Sequence, residues 1–151
     1  MTEMDIDGDR SVDARYFYQE GLLRMKEIDE DRDGRPDLRE YYNKERKIVK
    51  SEEDEGNTGR LNIAWYYDDE EKAVRAEKDS NGDGHIDTWF YYNQGRVTRV
   101  EEDTNGDGKA DIWEKYDASE AIVRRMKDLD YDGVADIEEK EGKTENEKVG
   151  K

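Results

Sequence analysis

Aspartate and asparagine are spaced along this chain in a way that gathers oxygen donors around a tight turn. The pattern is Asp-x-(Asp/Asn)-x-Asp-Gly-x-x-Asp, and segments built on it start at Asp5, Asp29, Asp54, Asp79, Asp103 and Asp128, in steps of 24, 25, 25, 24 and 25 residues. A hard divalent cation asks for this donor set. Calcium takes roughly six to eight oxygens, and a calcium loop supplies them from side chains at positions 1, 3 and 5, a backbone carbonyl at 7 and a direct or water-borne contact at 9, around a glycine at 6. Four copies meet every condition: Asp29, Asp31, Asp33 and Asp37 around Gly34; Asp79, Asn81, Asp83 and Asp87 around Gly84; Asp103, Asn105, Asp107 and Asp111 around Gly108; and Asp128, Asp130, Asp132 and Asp136 around Gly133. Magnesium prefers fewer carboxylates and retained waters. A lanthanide would fit the same oxygen cage, though nothing in the pattern selects for one.

Two copies depart from the pattern. Asp5, Asp7, Asp9 and Asp13 keep all four acids, but Arg10 stands where glycine is expected. A non-glycine residue in that left-handed turn costs about 1 kcal/mol, so weakened binding is expected there. The copy at Asp54 has Gly56, Thr58 and Asn62 at the other ligand positions, and reads as a vestigial loop that keeps its turn without metal. A full twelve-residue loop adds a bidentate Glu at position 12. That position is Glu40, Glu114 and Glu139 in three copies but Tyr16 and Phe90 in two others. Where Glu is missing, the remaining oxygen is expected from a neighbouring repeat or water. Four to five bound calcium ions are expected in all.

Composition makes a bound cation necessary as well as feasible. Leu, Ile, Val and Phe form about 15% of the chain, and the net charge is −17. That combination belongs to disordered chains. Yet ten Tyr and three Trp are present, which disordered tails usually lack. Five divalent ions would bring the charge to about −7, and their binding free energy then becomes folding free energy. No cysteine is present, so disulfides and zinc–thiolate sites are excluded. No apolar run reaches membrane-spanning length, and no signal-peptide pattern precedes Asp5. With Met1 so near the first loop, the chain reads as a mature or trimmed segment of something longer. An acidic surface repels phosphate, which argues against nucleic acid as a partner. His85, at position 7 of its loop, would bind through its carbonyl and reads as an exposed histidine. With one His, and every attractive carboxylate pair inside a loop, no enzyme is expected.

The segments between loops must position these acids. Position 14 of every complete repeat is tyrosine: Tyr18, Tyr42, Tyr67, Tyr92 and Tyr116. A turn-like cluster follows, such as Asn93-Gln94-Gly95, and then a mixed apolar and basic run. The expected fold is all-β: tandem β-hairpin repeats forming an elongated, solenoid-like meander, with the calcium loops between repeats. Thr88 to Tyr92 would be one strand and Arg96 to Glu101 the next, joined at a turn where Gly95 (like Gly21) supplies positive φ. The alternative is an α-helical segment such as Leu38 to Glu53 shared by two loops, as in a helical sensor or buffer; Gly21, Gly95 and the missing i, i+3, i+4 stripe speak against it. Residues 1–139 form the six-repeat domain and 140–151 a disordered tail. Trp65, Trp89, Trp113 and the Tyr doublets offer a platform to a protein or glycan partner, although packing within the repeats accounts for them more simply.

The loops resemble EF-hand-type calcium loops, and their tandem use is similar to thrombospondin type 3 and dockerin repeats. The resemblance extends to bacterial envelope and secreted proteins with repeats of the form DxNxDGxxDxxxYY, over about residues 5 to 139. It implies a calcium-stabilised extracytoplasmic scaffold, adhesive element or spacer, secreted or in the cell envelope. Ligand roles carry over only where the acids named above stand. Departures are the absent cysteines of thrombospondin repeats, the absent dockerin helix pattern and the degenerate loop at Asp54.

Overall fold

Aromatic and β-branched residues are concentrated between the loops, and they form strands. The structure, a computed structural model, describes residues 1–140 and 147–148. It divides into two units, Met1–Ala73 and Val74–Lys151. The first contains β1 (Thr2–Met4), β2 (Ala14–Gln19), β3 (Leu22–Ile28), β4 (Leu38–Tyr42), β5 (Ile48–Glu53) and β6 (Ile63–Tyr67). The second contains β7 (Ala73–Lys78, whose first residue closes the preceding unit), β8 (Thr88–Asn93), β9 (Arg96–Glu102), β10 (Ile112–Tyr116), β11 (Ile122–Lys127), β12 (Ile137–Lys140) and β13 (Glu147–Lys148). Within each unit consecutive strands pair antiparallel in chain order. The fold is all-β, a hairpin meander, and no helix occurs among the described residues. The helical alternative is therefore set aside. Of the expected tail, Lys140 ends β12 and Glu147–Lys148 pair with it; the rest lies outside the described residues.

Two kinds of turn close the hairpins. Glu20-Gly21 and Gln94-Gly95 are two-residue turns with both residues at positive φ (53° and 77°; 51° and 77°), the type I′ geometry that matches strand twist. The others are wider turns started by Asn43, Asp68 or Asp117, whose Oδ1 accepts amides two and four residues on. Each puts a non-glycine residue, Arg46, Glu71 or Glu120, at positive φ. A bulge falls between positions 13 and 14 in the hairpins closed at Phe17/Tyr18, Tyr41/Tyr42, Tyr91/Tyr92 and Lys115/Tyr116.

The sheet coheres through cross-strand rows rather than an aliphatic core. Among the described residues, the buried apolar ones are only Ala14, Ile63, Ala76 and Val100. In the first unit, Glu3, Arg15, Glu27, Arg39 and Glu52 stand opposite one another across successive strands and form an alternating charge row, with Arg39 bridging Glu27 and Glu52. One row further along, the Lys50 ammonium lies over Tyr41 and Tyr66, 5.3 and 5.7 Å from their centroids. In the second unit Arg99 lies 3.9 Å over Tyr91. Such pairs are the unit of sheet stabilisation where apolar area is scarce.

Candidate metal centres

Every turn of the meander at one end of the strands is a candidate metal loop: loop 1 (residues 5–13), loop 2 (29–37) and loop 3 (54–62) in the first unit, and loop 4 (79–87), loop 5 (103–111) and loop 6 (128–136) in the second. Each is pinned at its neck. The amide of position 9 donates to the carbonyl preceding position 1, as from Asp37 to Ile28 (2.8 Å) and from Asp111 to Glu102 (2.8 Å). The amide of position 1 also donates to the position-9 carbonyl of the loop before it: Asp29 to Asp13, Asp54 to Asp37, Asp103 to Asp87 and Asp128 to Asp111. Positions 1 and 9 thus stand on the end of the sheet ladder itself. The consequence is unusual for carboxylates: Asp29, Asp79, Asp87, Asp103, Asp111 and Asp128 are 4–8% exposed, as buried as the apolar residues. Buried carboxylates require hydrogen bonds and a counter-charge.

The hydrogen bonds come from the loop backbone. In every loop both position 4 and position 6 adopt positive φ, and in loops 1, 2, 4, 5 and 6 this turns their amides inward as a small anion-binding nest. The position-1 carboxylate occupies that nest: Asp103 accepts from Gly106 and Gly108 at 2.7 Å each, and Asp128 from Tyr131 (2.8 Å) and Gly133 (2.6 Å). Oδ1 of positions 3 and 5 accepts the amide two residues on, for example Asp33 to Asp31 and Arg35 to Asp33, or Asp107 to Asn105 and Lys109 to Asp107. Oxygens of Asp5, Asp7 and Asp13, of Asp29, Asp31 and Asp33, and of Asp128, Asp130 and Asp136 lie within 4.8 Å of one another. Ligands around one calcium ion at 2.3–2.6 Å are at most about 5 Å apart, so these acidic triads fit. Loops 4 and 5 have Asn81 and Asn105 at position 3, an amide oxygen in place of one carboxylate. Burial raises the carboxyl pKa of Asp87, but bonds from Thr88, Ser80 and Asn81 outweigh it and hold the group below its ordinary value. The Ser11 amide does the same for Asp9.

Glu40, Glu114 and Glu139 are not brought to their loops. They lie in strands, where position 12 faces the neighbouring strands instead of the loop. Glu40 accepts from Lys26 (2.8 Å) and the Tyr42 hydroxyl (2.7 Å); Glu114, 7% exposed, accepts from Arg125 and Tyr116; Glu139 stands opposite Arg125. Those tyrosines answer for it: burial and the Glu114 carboxylate push the Tyr116 hydroxyl up to about 12, and Tyr42 rises further still.

Loop 3 closes differently. Asp54 accepts from the amides of positions 5, 6 and 7, Thr58, Gly59 and Arg60, a shift away from the position 4 and 6 pairing of the other loops. Gly56, at the position-3 ligand site, has φ of 91°, unlike its counterparts. The Thr58 hydroxyl lies 3.2 Å from the Arg60 carbonyl, the group a metal would take at position 7. Asn62 exchanges two hydrogen bonds with the Glu55 backbone, so a neutral amide does what Asp does elsewhere.

Three features lay outside the sequence reading. Positive φ at position 4 was signalled by Gly8, Gly82 and Gly106, but Arg32 and Tyr131 conceal it. The neck-to-neck bonds have no side-chain signature. His85 is exposed, and it lines a cavity of about 310 Å³ between loops 4 and 5 with Asp83, Asp87, Trp89, Asp103 and Asp107.

No family model matches the chain, and no curated protein matches it. Among solved structures it is similar to a chain in the crystal structure of accessory secretory protein 1,2 and 3 in Streptococcus pneumoniae, at TM-score 0.38 and 11% identity. That match covers 77% of this chain and 19% of the other. Likeness at this level carries no argument about function.

Proposed function

We propose that this chain is a calcium-binding repeat module whose β-meander is held folded by ions in loops 2, 4, 5 and 6, with a weaker site in loop 1 and none in loop 3. The observation that carries it is the burial of the position-1 carboxylates of loops 2, 4, 5 and 6 and of the position-9 carboxylates of loops 4 and 5, at the sheet ends of a chain of net charge −17. Hydrogen bonds from amides satisfy those oxygens in part but supply no full positive charge. A divalent cation supplies it, at a point where strands and loops both converge. Without a bidentate Glu, affinity falls toward the roughly 0.1–1 mM end of the calcium range, which suits an extracellular medium. The role that follows is a rigid scaffold, spacer or adhesive element outside the cytoplasm.

Far-UV circular dichroism of the calcium-free chain, followed as calcium is added, tests this reading. A transition toward β-sheet signal that a chelator reverses is expected. A spectrum indifferent to calcium, or one that gains helix, contradicts it.

A further inference from the structure

Loop 2 carries arginine at its positions 4 and 7, and each guanidinium reaches a neighbouring loop. Arg35 donates to the Gly59 carbonyl of loop 3 at 3.3 Å, passing within 2.9 Å of where a Cβ would stand. Arg32 reaches the other way, bonding Asp7 Oδ2 and standing 3.5 Å from Asp9 Oδ2 in loop 1. The two loops so contacted are the two whose sequences fit a cation least. Position 4 elsewhere is Gly8, Asn57, Gly82, Gly106 or Tyr131, none of them charged.

The atoms involved decide what this contact does. Asp7 Oδ1 already accepts the Asp9 amide at 3.1 Å, and Asp9 Oδ1 the Ser11 amide at 2.7 Å. Oδ2 is therefore the oxygen each acid has available for a cation, and Oδ2 is the oxygen that Arg32 takes. Loop 1 is otherwise formed like the others: Asp5 holds the amides of Gly8 (2.6 Å) and Arg10 (2.9 Å), and oxygens of Asp5, Asp7 and Asp13 gather within 4.8 Å.

We propose that Arg32 is the resident cation of loop 1: its guanidinium occupies the outer oxygens of Asp7 and Asp9 and competes with calcium for them, so that loop 1 fills after loops 4, 5 and 6. This rests on the calcium reading above and assigns a regulator to one of its sites. Both partners are part-exposed, with side chains 52%, 36% and 38% accessible for Arg32, Asp7 and Asp9. An ion pair so placed is worth at most about fivefold in an equilibrium constant. The competition is thus modest and reversible, a graded delay instead of a block.

A calcium titration of the isotopically labelled full chain, read by nuclear magnetic resonance at single amides, tests the proposal. Gly8 reports loop 1, Gly34 loop 2, and Gly84 and Gly108 loops 4 and 5. In the natural chain the Gly8 midpoint should lie at higher calcium than those of Gly84 and Gly108. In Arg32→Gln, which removes the charge but keeps a non-glycine residue at φ 67°, the Gly8 midpoint should fall about fivefold. The Gly34, Gly84 and Gly108 midpoints should move less than about twofold, since exposed charges elsewhere are screened. A Gly8 midpoint unchanged by the substitution, or one that moves only in step with Gly34, overturns the role of Arg32. If no loop amide of the natural chain responds to calcium, the calcium reading itself fails, which is a separate outcome.

Discussion

The acids of one loop are not equivalent. Asp103 is buried and holds the Gly106 and Gly108 amides, whereas Asp107 is exposed and holds the Lys109 amide and, at 3.4 Å, the Asn105 side-chain amide. Replacing either removes a ligand. Replacing Asp103 by Ala also leaves two inward amides, those of Gly106 and Gly108, without their acceptor. At saturating calcium, Asp103→Ala should therefore cost about 1–3 kcal/mol more than Asp107→Ala, measured by urea denaturation of each variant. Equal losses would mean that the nest contributes nothing beyond ligation. The sequence made Asp103 and Asp107 look alike because both are acids at odd positions; what separates them is that position 1 sits on the sheet ladder and position 5 does not. Conversely, Glu40 and Glu114 looked like ligands because a twelve-residue loop needs one there. The strand begins at position 10, so position 12 faces Lys26 or Arg125 across the sheet.

At the level of the elements, strands and turns were largely legible. Thr88 to Tyr92 and Arg96 to Glu101 match β8 and β9 to within a residue, because the aromatic run Trp89 to Tyr92 and the turn Gln94-Gly95 mark the hairpin. The bulge beside Tyr18, Tyr42, Tyr92 and Tyr116 was not legible, since an extra residue such as Thr98 has no compositional mark. Turn chemistry yields a direct prediction. Glu120 sits at φ 61° in its turn, where glycine would rest without strain. Glu120→Gly should raise stability by about 1 kcal/mol at saturating calcium, seen as a higher melting temperature; a decrease would mean the Glu side chain matters more than its backbone. Strand pairing gives a second. Tyr42 and Tyr116 hydroxyls are raised by burial and by the neighbouring carboxylates of Glu40 and Glu114. A raised folded-state pKa favours the neutral hydroxyl, so this stability is complete below pH 10, the ordinary value, and is lost as pH rises through about 12. In Tyr116→Phe the part of that alkaline loss that belongs to Tyr116 should vanish, as followed by dichroism between those pH values at fixed calcium; an unchanged alkaline limb would contradict the assignment.

For the whole chain the governing quantity is charge. Forty-three acidic residues against twenty-six basic ones leave a field that opposes compaction and attracts cations together. The sheet manages part of it locally, through the Glu3-to-Glu52 row and the Tyr–Lys and Tyr–Arg contacts. That row explains how a chain of disorder-like composition carries ordered strands: its cross-strand pairs are polar, so a count of aliphatics misses them. The attraction of calcium by the remaining field is long-ranged and therefore screened. Raising monovalent salt from about 0.1 to 1 M shortens the Debye length from about 10 to 3 Å, so the calcium midpoint should shift to higher concentration. A midpoint indifferent to salt would leave only local ligation. Loop 3 stands apart from this balance, because Asp54 is satisfied by Thr58, Gly59 and Arg60 and is held below its ordinary pKa by them against the effect of burial. Its tyrosine, Tyr67, nevertheless keeps its place beside Ser51, which fits a repeat maintained for its sheet even where the metal pattern has lapsed.

Calorimetric titration of the calcium-free chain with calcium counts its sites. Four sites of similar affinity and a weaker fifth are expected, with Asp54→Asn leaving the count unchanged and Asp128→Asn reducing it by one. Six equal sites, fewer than three, or a count that Asp128→Asn does not alter would contradict the proposed sites.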